Sequence, residues 1–215
     1  MKNKYTEYKN FELPEIEKEI ISFWEKQSVF EKTVSNKKEK FIFYEGPPSA
    51  NGTPGIHHVM ARTIKDLFCR FWSMKGFSVD RKAGWDTHGL PVELSVEKKL
   101  NITKEDIGDK ISIEKYNQEC RKDVMRYKKE WENLTKKMGY WVNMKNPYIT
   151  YENKYIETVW WLLKKLFEKK LLYKGYTVQP FSPCAGTGLS THELNQPGCY
   201  KNVKDTSVTA QFEII

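Results

Sequence analysis

The sequence predicts an α/β fold built on at least one strand–helix–strand unit. Three observations carry this. Between residues 41 and 83 an apolar segment, a turn-rich loop, an amphipathic stretch and a second apolar segment follow one another, which is the order of a βαβ unit. Two long downstream stretches repeat apolar residues at helical spacing. The 215 residues are 39% hydrophobic and 14% aromatic, a composition that can bury a core where a disordered chain cannot.

In chain order, a first helix is expected from about Pro14 to Phe30. Leu13-Pro14-Glu15 puts proline and an acid in the first turn, and Ile16, Ile20, Phe23 and Trp24 share a face. Residues 41–45, Phe-Ile-Phe-Tyr-Glu, read as a strand with both faces buried, ended by Gly46-Pro47-Pro48. After a loop to Gly55, a helix from about His57 carries Met60, Ile64, Leu67, Phe68 and Phe71 on one side, and Gly76 caps it. A short strand follows at 77–83, and another helix begins near Leu90-Pro91. From Ser112 to Trp141 the residues Ile113, Tyr116, Cys120, Val124, Tyr127, Trp131, Leu134 and Met138 predict one long helix. A second runs from Asn153 to Lys170, with Ile156, Val159, Trp160, Leu163, Leu166 and Phe167 inward, so Trp160-Trp161 is assigned to core rather than to a site. Residues 171–181 read as extended, 182–200 as loops, and Ser207–Ile215 as an amphipathic strand. That last strand has no following partner, so the sequence reads as cut rather than finished.

Other classes are set aside on composition. The longest pure apolar run, Val159–Leu163, falls far short of the roughly 20 residues a membrane helix needs. The first residues, Met-Lys-Asn-Lys-Tyr-Thr-Glu-Tyr, lack the apolar stretch of a secretory signal. Four scattered cysteines with no C-x-x-C pair fit a cytoplasmic protein with free thiols. A net charge of +8 suits a polyanionic partner, although lysine pairs such as Lys136-Lys137 and Lys164-Lys165 equally suit solvated helix faces.

Two segments carry chemistry. Gly46–His58, GPPSANGTPGIHH, lies between a strand and a helix start. Ligands of open α/β sheets bind beyond the carboxyl ends of strands, and a helix N-terminus offers unpaired N–H groups to a phosphate. Gly52 and Gly55 permit close backbone approach, and His57 and His58 could donate to phosphoryl oxygens; a structural loop with two surface histidines is the other reading. The segment is neither a Walker loop nor a G-x-G-x-x-G turn. The second segment, Gly84–Glu93, GWDTHGLPVE, puts Asp86 at a strand end facing the same crevice. That carboxylate could bind an ammonium group or cap the next helix. His88 beside it is open to a ligand contact or a structural hydrogen bond, while His192 with Glu193 reads as loop scaffolding.

GPPSANG, GIHHVMARTIKD and GWDTHGLPVELSVEKKL resemble the class I aminoacyl-tRNA synthetases, in their isoleucine-specific branch. The likeness continues through MGYWVNMKNPYITYENKYIETVWWLLKKLFEKKLLYKGYTVQP and SPCAGTGLSTHELNQPG and covers essentially the whole chain. It implies an enzyme that activates isoleucine with Mg2+-ATP and transfers it to tRNA(Ile). Gly46, Pro47, Asp86 and His88 would hold the amino acid and adenylate, with Asp86 on the α-ammonium. Pro48, Asn51, Gly52, Gly55, His57 and His58 would hold ATP, and His58, matching the last His of the family's HIGH motif, would act in catalysis with His57. The fold implied is the first half of a Rossmann-like nucleotide-binding domain over 41–200, with helical insertions. It follows a helical extension at 1–40 and precedes the start of an editing insertion at 201–215. A monomer in the full-length enzyme and no membrane are implied too.

The sequence departs from the pattern in three ways. The H-x-G-H motif stands as Gly55-Ile56-His57-His58, so His57 would replace the first imidazole from a shifted place. Where some relatives carry a zinc-binding C-x-x-C, this chain has Ser182-Pro183-Cys184-Ala185, too few ligands for a four-coordinate site, so no zinc is expected. A KMSKS loop is absent, so the chain alone is expected to show little synthetase activity. A non-catalytic module binding tRNA or a partner is the alternative.

Overall fold

The computed structural model describes residues 7–35 and 39–214. The opening residues on which the secretory-signal reading rests in part, and the last residue of the expected terminal strand, fall outside them. The chain divides into one unit ending at Leu172 and another beginning at Tyr173.

Helix α1 spans Leu13–Lys26, with proline in its first turn and Glu15 and Lys26 placed to suit the helix dipole. The expected continuation to Phe30 is interrupted. Ser28 takes a left-handed conformation, φ 48°, and a separate helix α2 runs from Val29 to Val34. The break lets two helices grip one ring: Trp24 meets Trp141 edge-on at 5.1 Å between centroids, and Phe30 lies 6.4 Å away.

Residues 41–45 do not form the doubly buried strand expected of them. They are extended and joined to the neighbouring segment by a single parallel bridge, Lys40 to Ser78. Only one side is covered: Phe41, Phe43 and Glu45 turn in, while Tyr44 is 88% exposed. Helix α3, Ile56–Met74, follows the loop and ends at Gly76, whose φ of 99° closes its C-terminus. Strand β1 is Lys82–Trp85, a few residues beyond the expected place.

The orientation of α3 inverts the expectation from periodicity. Its covered side is polar, with Arg62, Lys65, Asp66, Arg70 and Ser73 alongside Cys69 and Trp72. Its apolar stripe faces out: Leu67 is 64% exposed and Phe68 58%. The inward charges are paired. Arg70 Nε donates to Asp66 Oδ2 at 2.6 Å and stacks on Trp141. Arg81, fully buried, lies 3.6 Å from Asp66 Oδ1 and donates to Ser73 Oγ at 2.7 Å. Buried charges persist only when partnered in this way.

Helix α4, Leu90–Leu100, leads through a turn at Lys104–Asp106 to α5, Ile113–Asp123, and α6, Lys128–Lys137. The single helix expected over 112–141 is thus two. A tertiary contact supplies the reason: the Tyr127 N–H donates to Ala50 O at 2.9 Å instead of to its own helix. Strand β2, Asn143–Ile149, pairs parallel with β1, Gly84 opposite Tyr148. Gly84 is required there, because a Cβ would lie 2.2 Å from the Tyr148 ring. Ala50, Trp85 and Trp131 form the buried centre, with Met125, Tyr127 and Ile149 packed against it.

Helix α7, Asn153–Glu168, forms as expected, but its apolar residues are not inward. Trp160 is 71% exposed, so the assignment of Trp160-Trp161 to the core is overturned: no element among the described residues covers that face. In the second unit, β3 (Phe181–Ser182) and β4 (Thr187–Gly188) form a small antiparallel hairpin, and α8 (Thr191–Leu194) is closed by a Ser190–Glu193 capping box. Residues 207–214 form no strand and are exposed; their alternation finds no ladder among the described residues.

These burial patterns separate two aromatic substitutions in the 215-residue chain. Trp131→Ala removes a buried anchor and is expected to cost about 3–5 kcal/mol of stability. Phe68→Glu on the outward stripe should change it by no more than about 0.5 kcal/mol. Urea denaturation of both variants checks this, and equal losses would mean that α3 is turned the other way.

Candidate active site

The Gly46–Gly55 loop is fixed at both ends and in its middle. At its start, Glu45 is almost fully buried. Its carboxylate meets Lys65 Nζ at 2.5 Å and accepts from the Tyr140 hydroxyl. The Glu45 carbonyl accepts from Tyr148 Oη at 2.7 Å, and Gly46 O accepts from Lys65 Nζ at 3.3 Å. Burial beside Glu45 pushes the Tyr148 hydroxyl up to about 12 and Tyr140 higher still, so both keep the proton they donate.

In the middle, Ala50 is fully buried, and Trp131 Nε1 donates to Gly52 O at 2.8 Å. Arg62 lies over the Trp131 ring, 4.9 Å from its centroid, and donates to Thr135 Oγ1. The loop therefore rests on α6 through one indole, one backbone amide and a buried methyl. Asn51 is half-buried and Gly52 exposed, so the loop's tip stays open.

At its end, the Gly55 N–H donates to His58 Nδ1 at 2.9 Å. This is the reciprocal half of a capping box with a histidine where Glu or Gln usually stands. An Nδ1 that accepts leaves the ring proton on Nε2, so His58 presents a donor. Its ring meets Trp131 edge-on at 4.6 Å and lies 3.8 Å from the exposed His57 ring. Burial, then the neighbouring His57 and Arg62, hold His58 below the ordinary histidine value of 6.5. At neutral pH it is an uncharged hydrogen-bond donor. The Ile56 and His57 amides in the first turn of α3 have no acceptor among the described residues, as expected of a helix N-terminus.

The second segment joins the first through one backbone bond: the Asp86 N–H donates to Pro48 O at 3.0 Å. Asp86 is half-buried at the end of β1. It does not cap α4, whose N-cap is Gly89, which leaves its carboxylate free of that structural duty. Asp86 Oδ1 accepts from the His88 N–H at 3.4 Å, and His88 Nδ1 lies 3.0 Å from Thr150 Oγ1. So Gly46, Pro48, Gly52, Gly55, His58, Asp86 and His88 belong to one bonded neighbourhood, with Pro47 and Asn51 in the same loop and His57 against His58. In the second unit, His192 Nε2 lies 3.0 Å from Gln196 Nε2 within the α8 turn.

The comparisons with known proteins add the lineage. The family described as "tRNA synthetases class I (I, L, M and V)" matches residues 19–213. The chain belongs to that family. Curated relatives named "Isoleucine--tRNA ligase" include one from Bacteroides thetaiotaomicron, 66% identical over 216 residues, and one from Cytophaga hutchinsonii, 66% identical over 213. The chain is covered for 100% and 98% of its length in these, and spans 19% of each relative. Another from Clostridium kluyveri is 48% identical over 202 residues, covering 93% of this chain and 19% of the relative. Among solved structures, the LeuRS of the LeuRS-tRNA-LeuAMS ternary complex from Agrobacterium radiobacter K84 matches 83% of this chain and 20% of its own, with TM-score 0.55 and 22% identity. That likeness bears on the fold. Class I synthetase membership accords with the α/β reading of the sequence.

Several residues that build the site escape sequence reasoning. Glu45, Lys65, Tyr148, Trp131 and Thr150 act through long-range contacts; Glu45, Lys65 and Trp131 read locally as ordinary strand or helix, and Tyr148 and Thr150 lie where no element is expected. Trp131 alone had a signal, a tryptophan on the periodic face of its helix. In the 215-residue chain, NMR titration of the His58 ring is expected to give a midpoint below 6.5. A base lowered on folding stabilises the native state above its unfolded pKa. Stability from His58 should therefore fade as pH drops below about 6.5 and through the lower folded value. His58→Gln should flatten that limb of the stability curve; a midpoint above 6.5 would contradict the burial and the cationic surroundings described for the ring.

Proposed function

We propose that the chain carries the ammonium- and phosphate-facing part of an isoleucine–tRNA ligase site, for ATP-dependent activation of isoleucine and its transfer to tRNA(Ile). The observation that carries this is the Asp86 N–H bond to Pro48 O. It brings a carboxylate that does not cap α4 to the loop whose other end is the N-terminus of α3 and His58. A carboxylate there suits an α-ammonium group, and unpaired amides with a neutral imidazole donor suit phosphoryl oxygens.

In this reading Asp86 holds the ammonium of isoleucine, with Gly46 and Pro47 forming the wall beside it. The amino-acid carboxylate attacks the α-phosphorus of ATP in line, and pyrophosphate leaves. The α3 amides, Gly52 and Gly55 backbone, Pro48, Asn51, His57 and His58 accommodate the nucleotide. His58 Nε2–H steadies charge that builds on phosphoryl oxygen, a preorganised donor that need not reorient. Mg2+ carried on ATP would supply neutralisation of the phosphate charge. No zinc is required by this segment.

The surrounding assignment follows the same reading: a helical extension over 1–40, the first half of the Rossmann-like catalytic domain over 41–200, and the start of an editing insertion at 201–215. The working enzyme is a cytoplasmic monomer that needs the remainder of the family's length, so the 215 residues alone are expected to exchange little.

ATP–pyrophosphate exchange by the complete gene product is the test. Exchange should be strongest with isoleucine; preference for leucine, valine or methionine would overturn the specificity. Asp86→Ala should raise the KM for isoleucine by about 100-fold or more. His58→Ala should lower kcat by about 100- to 1,000-fold with a smaller change in that KM.

A further inference from the structure

Thr150 follows directly on β2, and its backbone N–H donates to Trp85 O at 3.2 Å, which extends the β1–β2 pairing by one residue. The side chain is buried. Its hydroxyl gathers three polar neighbours: the Thr87 N–H donates to Oγ1 at 3.0 Å, Thr87 Oγ1 lies at 2.8 Å, and His88 Nδ1 at 3.0 Å. No sequence motif marks this residue.

A threonine hydroxyl has one proton and two lone pairs. The Thr87 amide takes one lone pair. Two arrangements remain. In one, Thr150 donates to Thr87 Oγ1 and accepts from a protonated His88 Nδ1. The Thr87 hydroxyl proton is then left without an acceptor among the described residues, although Thr87 is buried, and an unmet buried donor is costly. In the other, Thr87 Oγ–H donates to Thr150, and Thr150 Oγ–H donates to His88 Nδ1. Every proton in the cluster is then used.

We infer that Thr150 is a positioning residue that holds the exposed His88 ring in its Nε2–H form, aiming a hydrogen-bond donor at an anionic oxygen of the substrate beside Asp86. The inference rests on the function proposed above for its substrate, and on the geometry alone for the tautomer. The anionic oxygen is either the amino-acid carboxylate or a phosphoryl oxygen of ATP; both would accept from Nε2–H. The order of the relay is Thr87 hydroxyl to Thr150 hydroxyl to His88 Nδ1, with the ring's remaining N–H outward. Asp86, whose Oδ1 accepts the His88 amide, fixes the backbone on the same side.

The test has two arms. In the 215-residue chain labelled with nitrogen-15, long-range proton–nitrogen spectra near neutral pH read the tautomer directly. With only 4 histidines present, His88 is assigned by the signal that His88→Gln removes. The unsubstituted chain should show Nε2–H, Thr150→Ser should keep it, and Thr150→Val should give a tautomer mixture. An Nδ1–H form in the unsubstituted chain would overturn the inference without any variant having to fold. In the complete gene product, Thr150→Val should raise one KM about tenfold, the loss of roughly one hydrogen bond, with kcat little changed and Thr150→Ser near the parent. A rise for isoleucine assigns the carboxylate as acceptor; a rise for ATP assigns the phosphoryl oxygen. Unchanged KM for both would contradict the substrate role. Absence of exchange with any amino acid in the parent would count against the proposed function, while the spectra would still decide the Thr150–His88 relay.

Discussion

The seating of the Gly46–Gly55 loop on helix α6 is the constraint on which the rest of the site depends. A loop rich in glycine and proline has no ladder of its own. Left to itself it would sample many conformations, and each ordered residue costs about 1–2 kcal/mol of backbone entropy. Here the Trp131 indole N–H and the Tyr127 amide take the carbonyls of Gly52 and Ala50, and the buried Ala50 methyl packs between Trp85 and Trp131. The same ring contacts His58. One buried side chain, Trp131, thus touches the loop, His58 and the core beside β1 at once.

A second layer holds this arrangement from beneath. Glu45, Lys65, Tyr140 and Tyr148 pin the start of the loop, and Asp66, Arg70 and Arg81 tie α3 to the segment around Trp141. Such a charged interior is expensive to bury and tolerates little loss of a partner. It suits a scaffold that must keep one geometry. The apolar sides of α3 and α7 point the other way and remain exposed, in a chain that spans 19% of the length of its curated relatives.

How much of this was legible beforehand follows from the range of each interaction. Starts and stops set by local chemistry read well: Pro14, Pro91 and Gly76 mark helix ends where the structure has them. The loop and the Asp86 segment stand out in the sequence as candidates because their residue types are unusual between regular elements, and one backbone bond joins them in the fold. Periodicity told that α3 and α7 are amphipathic, but not which face the chain covers, since a stripe carries no record of its partner. The helix over 112–141 broke because one amide bonded to Ala50, 77 positions away in the chain. Strand β2, with Asn146-Pro147 inside it, has none of the alternation that announces a strand, and Thr150 gains its meaning only from the residues folded onto it.

The most direct test of the central claim is a crystal structure of the complete gene product with a non-hydrolysable analogue of isoleucyl adenylate. The account predicts the analogue's ammonium on the Asp86 carboxylate and its phosphate mimic at the N-terminus of α3, within hydrogen-bonding reach of His58 Nε2, with the loop still seated on Trp131. An analogue bound with Asp86 and His58 facing away from it, or a loop lifted off Trp131, would contradict the account.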